Sequence, residues 1–216
     1  MKKRHELPNF TKINVEVDVE KILKLFNDNF ENLEQKRDYL NTRYGSEFLS
    51  EFNYDQYQIT EYNDQAERHY KNFHADDDER NYTKLVDWVR GTYIEEVLNK
   101  FKSQYTRCRF NVVRPGGYIL PHIDYNTDYS VRYQIPIQTN DWSYFGIQRK
   151  NEKPDVRHFP ADGSTWFFNP GWNHSAWNMG KTNRIHMIIC VNGQEDLKEY
   201  VDYFDELPNL HMRVSA

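Results

Sequence analysis

From about residue 105 to 195 the chain alternates short apolar or aromatic runs with turn-forming residues. The runs "RCRFNVV" (107–113), "VRYQIPIQ" (131–138), "SYFGIQ" (143–148), "STWFFN" (164–169) and "RIHMIICV" (184–191) have the length and composition of strands. Pro115-Gly116-Gly117, Asp162-Gly163, Pro170-Gly171 and Met179-Gly180-Lys181 punctuate this region. Regularly spaced short strands predict a jelly roll or a related two-sheet barrel. Before residue 105 the period becomes helical. "VEKILKLFNDN" (19–29) places Val19, Ile22 (or Leu23) and Phe26 on one side. "YTKLVDWVRGTYIEEVLNKFK" (82–102) carries a stripe through Leu85, Val89 with Trp88, Tyr93, Val97 and Phe101, which predicts the longest helix. Residues 53–81 look polar and irregular, with "ADDDER" as a solvated loop, and "EDLKEYVDYFDEL" (195–207) looks like a closing helix. The expected organisation is a helical region over 1–104, a β-rich core over 105–194, and a C-terminal helix and tail over 195–216.

Composition narrows the classes. A chain of 216 residues with 16% aromatic content can build one domain with a substantial core. A net charge of −5 argues against a broad nucleic-acid surface, which needs clustered Lys and Arg. Cys108 and Cys190 are too few for a disulfide framework or a thiolate zinc site and suit a reducing compartment. The opening "MKKRHELPNF" has no apolar signal core, and no run approaches the ~20 apolar residues that span a bilayer. These features predict a soluble cytoplasmic protein with no membrane partner.

The chemistry concentrates in "GGYILPHIDYNTD" (116–128), where His122 and Asp124 stand two apart and so on one side of a strand. Such a pair is either a surface ion pair or two-thirds of a metal site. His174, in "NPGWNHSAW" and 52 residues after His122, is the candidate third ligand. Two imidazoles and a carboxylate on one face of an octahedral ion form the facial triad of non-haem iron(II) oxygenases. Arg184 enters an apolar strand, a costly placement unless a carboxylate or dense hydrogen bonding meets it. That carboxylate could belong to the protein or to a ligand, since the guanidinium fork fits either. Arg132 and Gln134 share a strand face opposite Tyr133, Ile135 and Ile137, and Asn111 shares one with Arg107 and Arg109. A cosubstrate with a carboxylate at each end needs two basic groups, and Arg132 and Arg184 are the pair in view. A solvated strand edge is the other reading of Arg132, and Asn111 and Gln134 read equally well as plain structure.

Over residues 105–195 the chain resembles the aspartyl/asparaginyl β-hydroxylase-like branch of the iron(II)- and 2-oxoglutarate-dependent dioxygenases, which includes free-proline hydroxylases. The resemblance lies in "FNVVRPGGYILPHIDYNTDYSVRYQIPIQTN" and "FFNPGWNHSAWNMGKTNRIHMIICV". It implies a double-stranded β-helix, with iron(II) on His122, Asp124 and His174 and dioxygen as the oxidant. It further implies that Arg184 grips the distal carboxylate of 2-oxoglutarate, assisted from the position of Asn111, and that Arg132 contacts the other carboxylate. Gln134 stands where a histidine is common in the family, so its role does not carry over. The implied reaction releases succinate and carbon dioxide and hydroxylates a C–H bond.

Candidates for the substrate mouth are Tyr118, Tyr125, Arg109, Trp142, Trp166 and Trp177. Residues 149–160 read as a flap or a solvated hairpin, with His158 exposed and His186 packed near Arg184. Three functions follow. They are hydroxylation of a free, proline-like amino acid or similar small molecule, hydroxylation of Asp, Asn or Pro in a peptide, and non-catalytic metal or sugar binding by the same fold.

Overall fold

A computed structural model of the chain describes residues 1–35, 52–63 and 78–199. Strand β1 (Phe10–Glu16) leads into helices α1 (Val19–Asp28) and α2 (Phe30–Gln35). Next come β2 (Tyr54–Gln58), β3 (Thr60–Glu61), β4 (Lys84–Leu85) and helix α3 (Tyr93–Leu98). The remainder contributes β5 (Gln104–Val113), β6 (Tyr118–His122), β7 (Val131–Gln138), β8 (Ser143–Gln148), β9 (Asp155–Arg157), β10 (Ser164–Phe168), β11 (Asn173–Asn178) and β12 (Arg184–Asn192). A six-stranded sheet runs β1-β10-β7-β12-β5-β2, and a four-stranded sheet runs β6-β11-β8-β9. Every pairing in both is antiparallel. This is the jelly-roll architecture that the strand spacing predicts.

The two-residue period of the strands explains why the large sheet has unlike faces. Cys108, Phe110 and Val112 of β5, Tyr133 and Ile135 of β7, and Met187 and Ile189 of β12 pack in one cluster with Ile22 and Phe26 of α1 and Ile94 and Leu98 of α3. The ring of Phe26 lies 5.0 Å from that of Phe110. The intervening residues, Arg107, Arg109, Asn111, Arg132, Gln134, Arg184 and His186, are buried on the other face. That face meets the small sheet through a second cluster containing Phe145, Ile147, Phe168, Ala176 and Ile188. Asp18 starts α1 by accepting a hydrogen bond from the Lys21 amide (3.2 Å), a common N-cap arrangement.

The five strands expected from residue 107 onward form at nearly the expected boundaries. The N-terminal part departs from expectation, because it is not wholly helical. Strand β1 pairs with β10, and β2 pairs with β5, so both extend the large sheet. The long helix expected over 82–102 is instead β4, a 3-10 turn at Asp87–Val89, and the six-residue α3. Gly91 breaks it with φ +71°, a conformation that ordinary side chains resist. Thr92 then caps α3 by accepting from the Ile94 amide. The apolar stripe is still buried at Leu85, Val89, Val97 and Phe101, so its spacing reported burial rather than one helix. At the end of the acidic "ADDDER" run, Asp78 and Glu79 are buried, and only part of that run lies among the described residues. Of the C-terminal helix expected over 195–207, Glu195–Glu199 form a 3-10 turn and the rest lies outside the described residues.

In a continuous helix, Gly91→Ala would stabilise the protein by roughly 1 kcal/mol. With φ at +71° it should instead destabilise by about 1 kcal/mol. Urea unfolding of the variant reads the sign directly.

Candidate active site

The ends of β6 and β11 lie side by side, with His122 directly opposite His174 in register. Their rings are 4.3 Å apart, and Asp124 follows two residues after His122. The Asp124 amide donates to the Pro170 carbonyl (3.0 Å), which ties this turn to the loop before His174. Asp124 Oδ1 lies 3.6 Å from His122 Nε2, and Oδ2 lies 3.2 Å from His174 Nε2. One ligand atom from each of the three residues falls within 4.8 Å of the others.

The histidine tautomers follow from the backbone. His122 Nδ1 is 2.7 Å from the Leu120 carbonyl, and His174 Nδ1 is 2.9 Å from the Trp172 carbonyl. A carbonyl only accepts, so each Nδ1 carries the proton and each Nε2 presents a lone pair toward Asp124. This tethering is the usual support for a metal-ligating imidazole. The loop carrying Trp172 is braced in turn. Arg4 lies over the Trp172 ring (4.5 Å) and donates to the Gly171 carbonyl (2.6 Å). His174 is further held by the rings of Phe145 and Phe168, each 5.7 Å away. The imidazole and carboxylate donors fit a first-row divalent ion such as iron(II), and no thiol takes part.

Behind Asp124 is a chain of buried charges. Arg132 Nη1 donates to Asp124, and Arg132 Nη2 donates to both Glu79 oxygens at 2.8 and 2.9 Å. Glu79 also receives Arg107 Nη1 at 2.8 Å, and Arg107 Nη2 donates to Gln56 at 3.0 Å. Burial alone would raise the pKa of Asp124, but the Arg132 guanidinium beside it holds it well below the ordinary carboxylate value. Burial acts the same way on Glu79, and Arg132 with Arg107 outweighs it. For His122, burial pushes the pKa down and keeps the imidazole in its neutral, metal-binding form.

A cavity of about 420 Å³ opens beside the cluster, within the size range of small-molecule sites. His122, Asp124, His174, Asn111, Arg132, Arg184, Tyr125 and Arg109 all line it. Arg184 is 2% exposed. Its Nη2 meets His186 Nδ1 at 3.0 Å, and among the described residues no carboxylate pairs with it. Burial therefore pulls the guanidinium down to about 9, the signature of a cation kept from water without an anion.

Several expected positions lie away from the cavity or already have protein partners. Arg132 lines the cavity, and two protein carboxylates hold its guanidinium. Gln134 lies outside the lining, fully buried, with Oε1 at 3.1 Å from His186 Nδ1. Tyr118 is exposed against Phe52, and Trp142 is exposed on the turn before β8. Trp166 is buried against Phe159, and Trp177 packs beside Tyr144, so neither faces the cavity. His158, expected to be exposed, is buried with Nδ1 3.0 Å from the Ser143 carbonyl. His186 is packed beside Arg184 as expected. Glu79, Gln56 and Tyr54 escaped sequence reading. Glu79 sits in a charged run that looks solvated, and "YDQYQ" hides a buried strand behind polar side chains.

The family model described as Aspartyl/Asparaginyl beta-hydroxylase matches residues 24–193. Among solved structures, an oxidoreductase of the 2OG-Fe(II) oxygenase family from Burkholderia pseudomallei is 17% identical, with 65% of this chain and 68% of that one covered and a TM-score of 0.45. A Pseudomonas putida prolyl-4-hydroxylase is 12% identical over 86% of this chain and 93% of that one, with a TM-score of 0.47. An oxalate oxidase in complex with glycolate is 23% identical over 45% of each chain, with a TM-score of 0.32. No curated protein matches the chain. No helix among the described residues is long and apolar enough to cross a membrane.

Glu79 and Asp124 titrate lower in the folded protein than in the unfolded chain, where 4.5 and 3.8 are ordinary. Their stabilising contribution is complete above those values and is lost as pH falls through the depressed ones. Glu79→Gln should remove its share at neutral pH and flatten the loss of stability below pH 4.5. Urea titrations from pH 7 to pH 3 measure both effects.

Proposed function

The chain belongs to the aspartyl/asparaginyl β-hydroxylase family, and on that premise we propose that it hydroxylates an unactivated C–H bond of a free, proline-like amino acid or a similarly small molecule. Family membership makes it an oxidoreductase and implies iron(II), 2-oxoglutarate and dioxygen as its cofactors, with which the His122–Asp124–His174 cluster is compatible. The observation that carries this reading is the buried, carboxylate-free Arg184 in the same cavity as that cluster.

In this reading His122 Nε2, His174 Nε2 and an Asp124 oxygen would hold the iron(II). Bound there, iron and 2-oxoglutarate together supply the oxidising power, with succinate and carbon dioxide as by-products. The protein's own share is positioning and exclusion of water. Arg132 fixes the Asp124 carboxylate and is itself fixed by Glu79, so the ligand direction is set before the metal arrives. Arg184 would receive the far carboxylate of 2-oxoglutarate, and Asn111, whose Oδ1 has no partner, stands on the neighbouring strand. Phe145, Phe168 and Ile188 line the cavity near the ligands and keep that side dry.

A second reading, hydroxylation of a side chain within a peptide, is favoured by the exposed apolar residues Leu120 and Ile123 around His122. Iron-loaded protein incubated with free amino acids and with blocked peptides separates the two, through succinate release and a mass gain of one oxygen on the true substrate. A non-catalytic barrel would turn over 2-oxoglutarate with neither set.

His174→Ala should abolish both coupled turnover and the slow uncoupled decarboxylation of 2-oxoglutarate. Undiminished succinate would remove His174 from the site. Arg184→Ala should raise the KM for 2-oxoglutarate by roughly a hundredfold, in line with loss of a buried charge-assisted pair. Iron content by metal analysis should stay unchanged in that variant, and its loss would count against the role given to Arg184.

A further inference from the structure

Residues 2–9 lie across the two loops that carry Asp124 and His174. On the Asp124 side, the Arg4 amide donates to Asn126 Oδ1 (3.0 Å), and Thr127 Oγ1 donates to the Lys2 carbonyl (2.9 Å). On the His174 side stands the fully buried Asn169. Its side-chain amide donates to the Arg4 carbonyl (2.8 Å), and its backbone amide donates to the Asn9 carbonyl (2.9 Å). Gln194 anchors the start of the segment by accepting from the Lys2 amide (2.6 Å) and donating to the Lys2 carbonyl (2.7 Å). Arg149 anchors the other end, donating to the Leu7 carbonyl and to Asn9 Oδ1, both at 2.7 Å. Residues 2–9 are thus a strap bonded to both loops. The family match over residues 24–193 does not reach it.

Arg4 meets both loops itself. Its backbone amide holds Asn126, two residues after Asp124. Its guanidinium donates to the Gly171 carbonyl (2.6 Å) and lies over the Trp172 ring (4.5 Å), while its carbonyl accepts from Trp172 Nε1 (3.3 Å). Trp172 in turn offers its carbonyl to His174 Nδ1 at 2.9 Å. A shift of Trp172 therefore passes directly to the imidazole. The contact has no slack, because a Cβ added at Gly171 would sit 2.8 Å from Arg4 Cβ. Carbon atoms pack at about 3.5 Å or more.

This arrangement bears on metal affinity. Three ligands drawn from separate loops bind an ion tightly only when their positions are set beforehand, since ordering them on binding costs free energy. Arg4 is absent from the cavity lining, so it touches neither the ion nor the keto acid.

We propose that Arg4 is a positioning residue for the metal cluster, acting through the strap to hold the Asp124 and His174 loops in fixed relation and so to set metal affinity. This rests on the metal site of the function proposed above and adds to it a support that comes from outside the family-matched residues. Loosening the strap costs metal affinity and leaves the Arg184 anchor intact.

Cobalt(II) added to metal-free protein tests this without relying on activity. Competition with a chelator of known affinity reads the binding constant, and visible absorption reads the ligand geometry. Arg4→Ala should weaken cobalt binding roughly tenfold and shift the absorption bands, as loss of support behind a ligating histidine does. Arg4→Lys, which can still donate to the Gly171 carbonyl and lie over Trp172, should return to within about threefold of wild type. Gly171→Ala keeps Arg4 but crowds it, and should weaken binding in the same direction, which provides a second reading if Arg4→Ala folds poorly. Ile94→Val, in the core on the other face of the large sheet, lowers global stability and should leave the cobalt affinity of the folded protein unchanged. Cobalt-saturated Arg4→Ala should bind 2-oxoglutarate within about threefold of wild type. A loss of cobalt affinity below about threefold in Arg4→Ala, no recovery in Arg4→Lys, unchanged affinity in Gly171→Ala, an equal loss in Ile94→Val, or a larger loss for 2-oxoglutarate than for cobalt would each overturn the proposal. Wild-type protein that bound no cobalt, or bound it equally well after His174→Ala, would instead overturn the metal site on which it rests.

Discussion

Among the described residues four buried guanidinium groups line one cavity, and each must find an anion or leave charge stranded in a medium that solvates it poorly. That constraint organises the molecule. Arg107 and Arg132 share Glu79, and Arg132 also reaches Asp124. Arg184 and Arg109 find no carboxylate among the described residues and face a cavity instead. Buried ion pairs seldom stabilise a fold more than well-packed apolar residues would, so their retention here is better understood through the site they build. The paired arginines orient the Asp124 carboxylate, and Arg184 and Arg109 line the cavity beside it.

The fold makes this possible by giving one sheet two characters. Along β5, β7 and β12 alternate residues enter the apolar core beneath α1 and α3, and the residues between them form a charged floor. Closing the small sheet over that floor aligns β6 with β11 and brings His122 against His174. The N-terminal residues belong to this construction. Arg4 packs on Trp172, whose carbonyl sets the His174 tautomer, and β2 carries Gln56 to Arg107.

Much of this was legible in the sequence where burial and period agree. The alternation in "VRYQIPIQ" and "RIHMIICV" placed Arg132, Gln134 and Arg184 on the inner face, and the donor chemistry of His122, Asp124 and His174 brought them together across 52 residues. The resemblance to the hydroxylase family agrees with the match over residues 24–193. What failed did so for identifiable reasons. A stripe from Leu85 to Phe101 looks helical because burial alone sets the spacing, while one glycine at positive φ breaks the backbone. Glu79 was lost in a run of charges, since nothing local distinguishes a carboxylate that will meet two arginines from one that will meet water. Trp142, Trp166 and Trp177 were candidates by residue type alone, and the cavity excludes all three.

The central claim is that one iron and one keto acid share the cavity between the His–Asp–His cluster and Arg184. An anaerobic crystal structure with iron(II) and 2-oxoglutarate tests it most directly. The account predicts a single ion bonded to His122 Nε2, His174 Nε2 and an Asp124 oxygen, with the distal carboxylate of the keto acid on the Arg184 guanidinium. An ion bound elsewhere, or a keto acid seated away from Arg184, would contradict it.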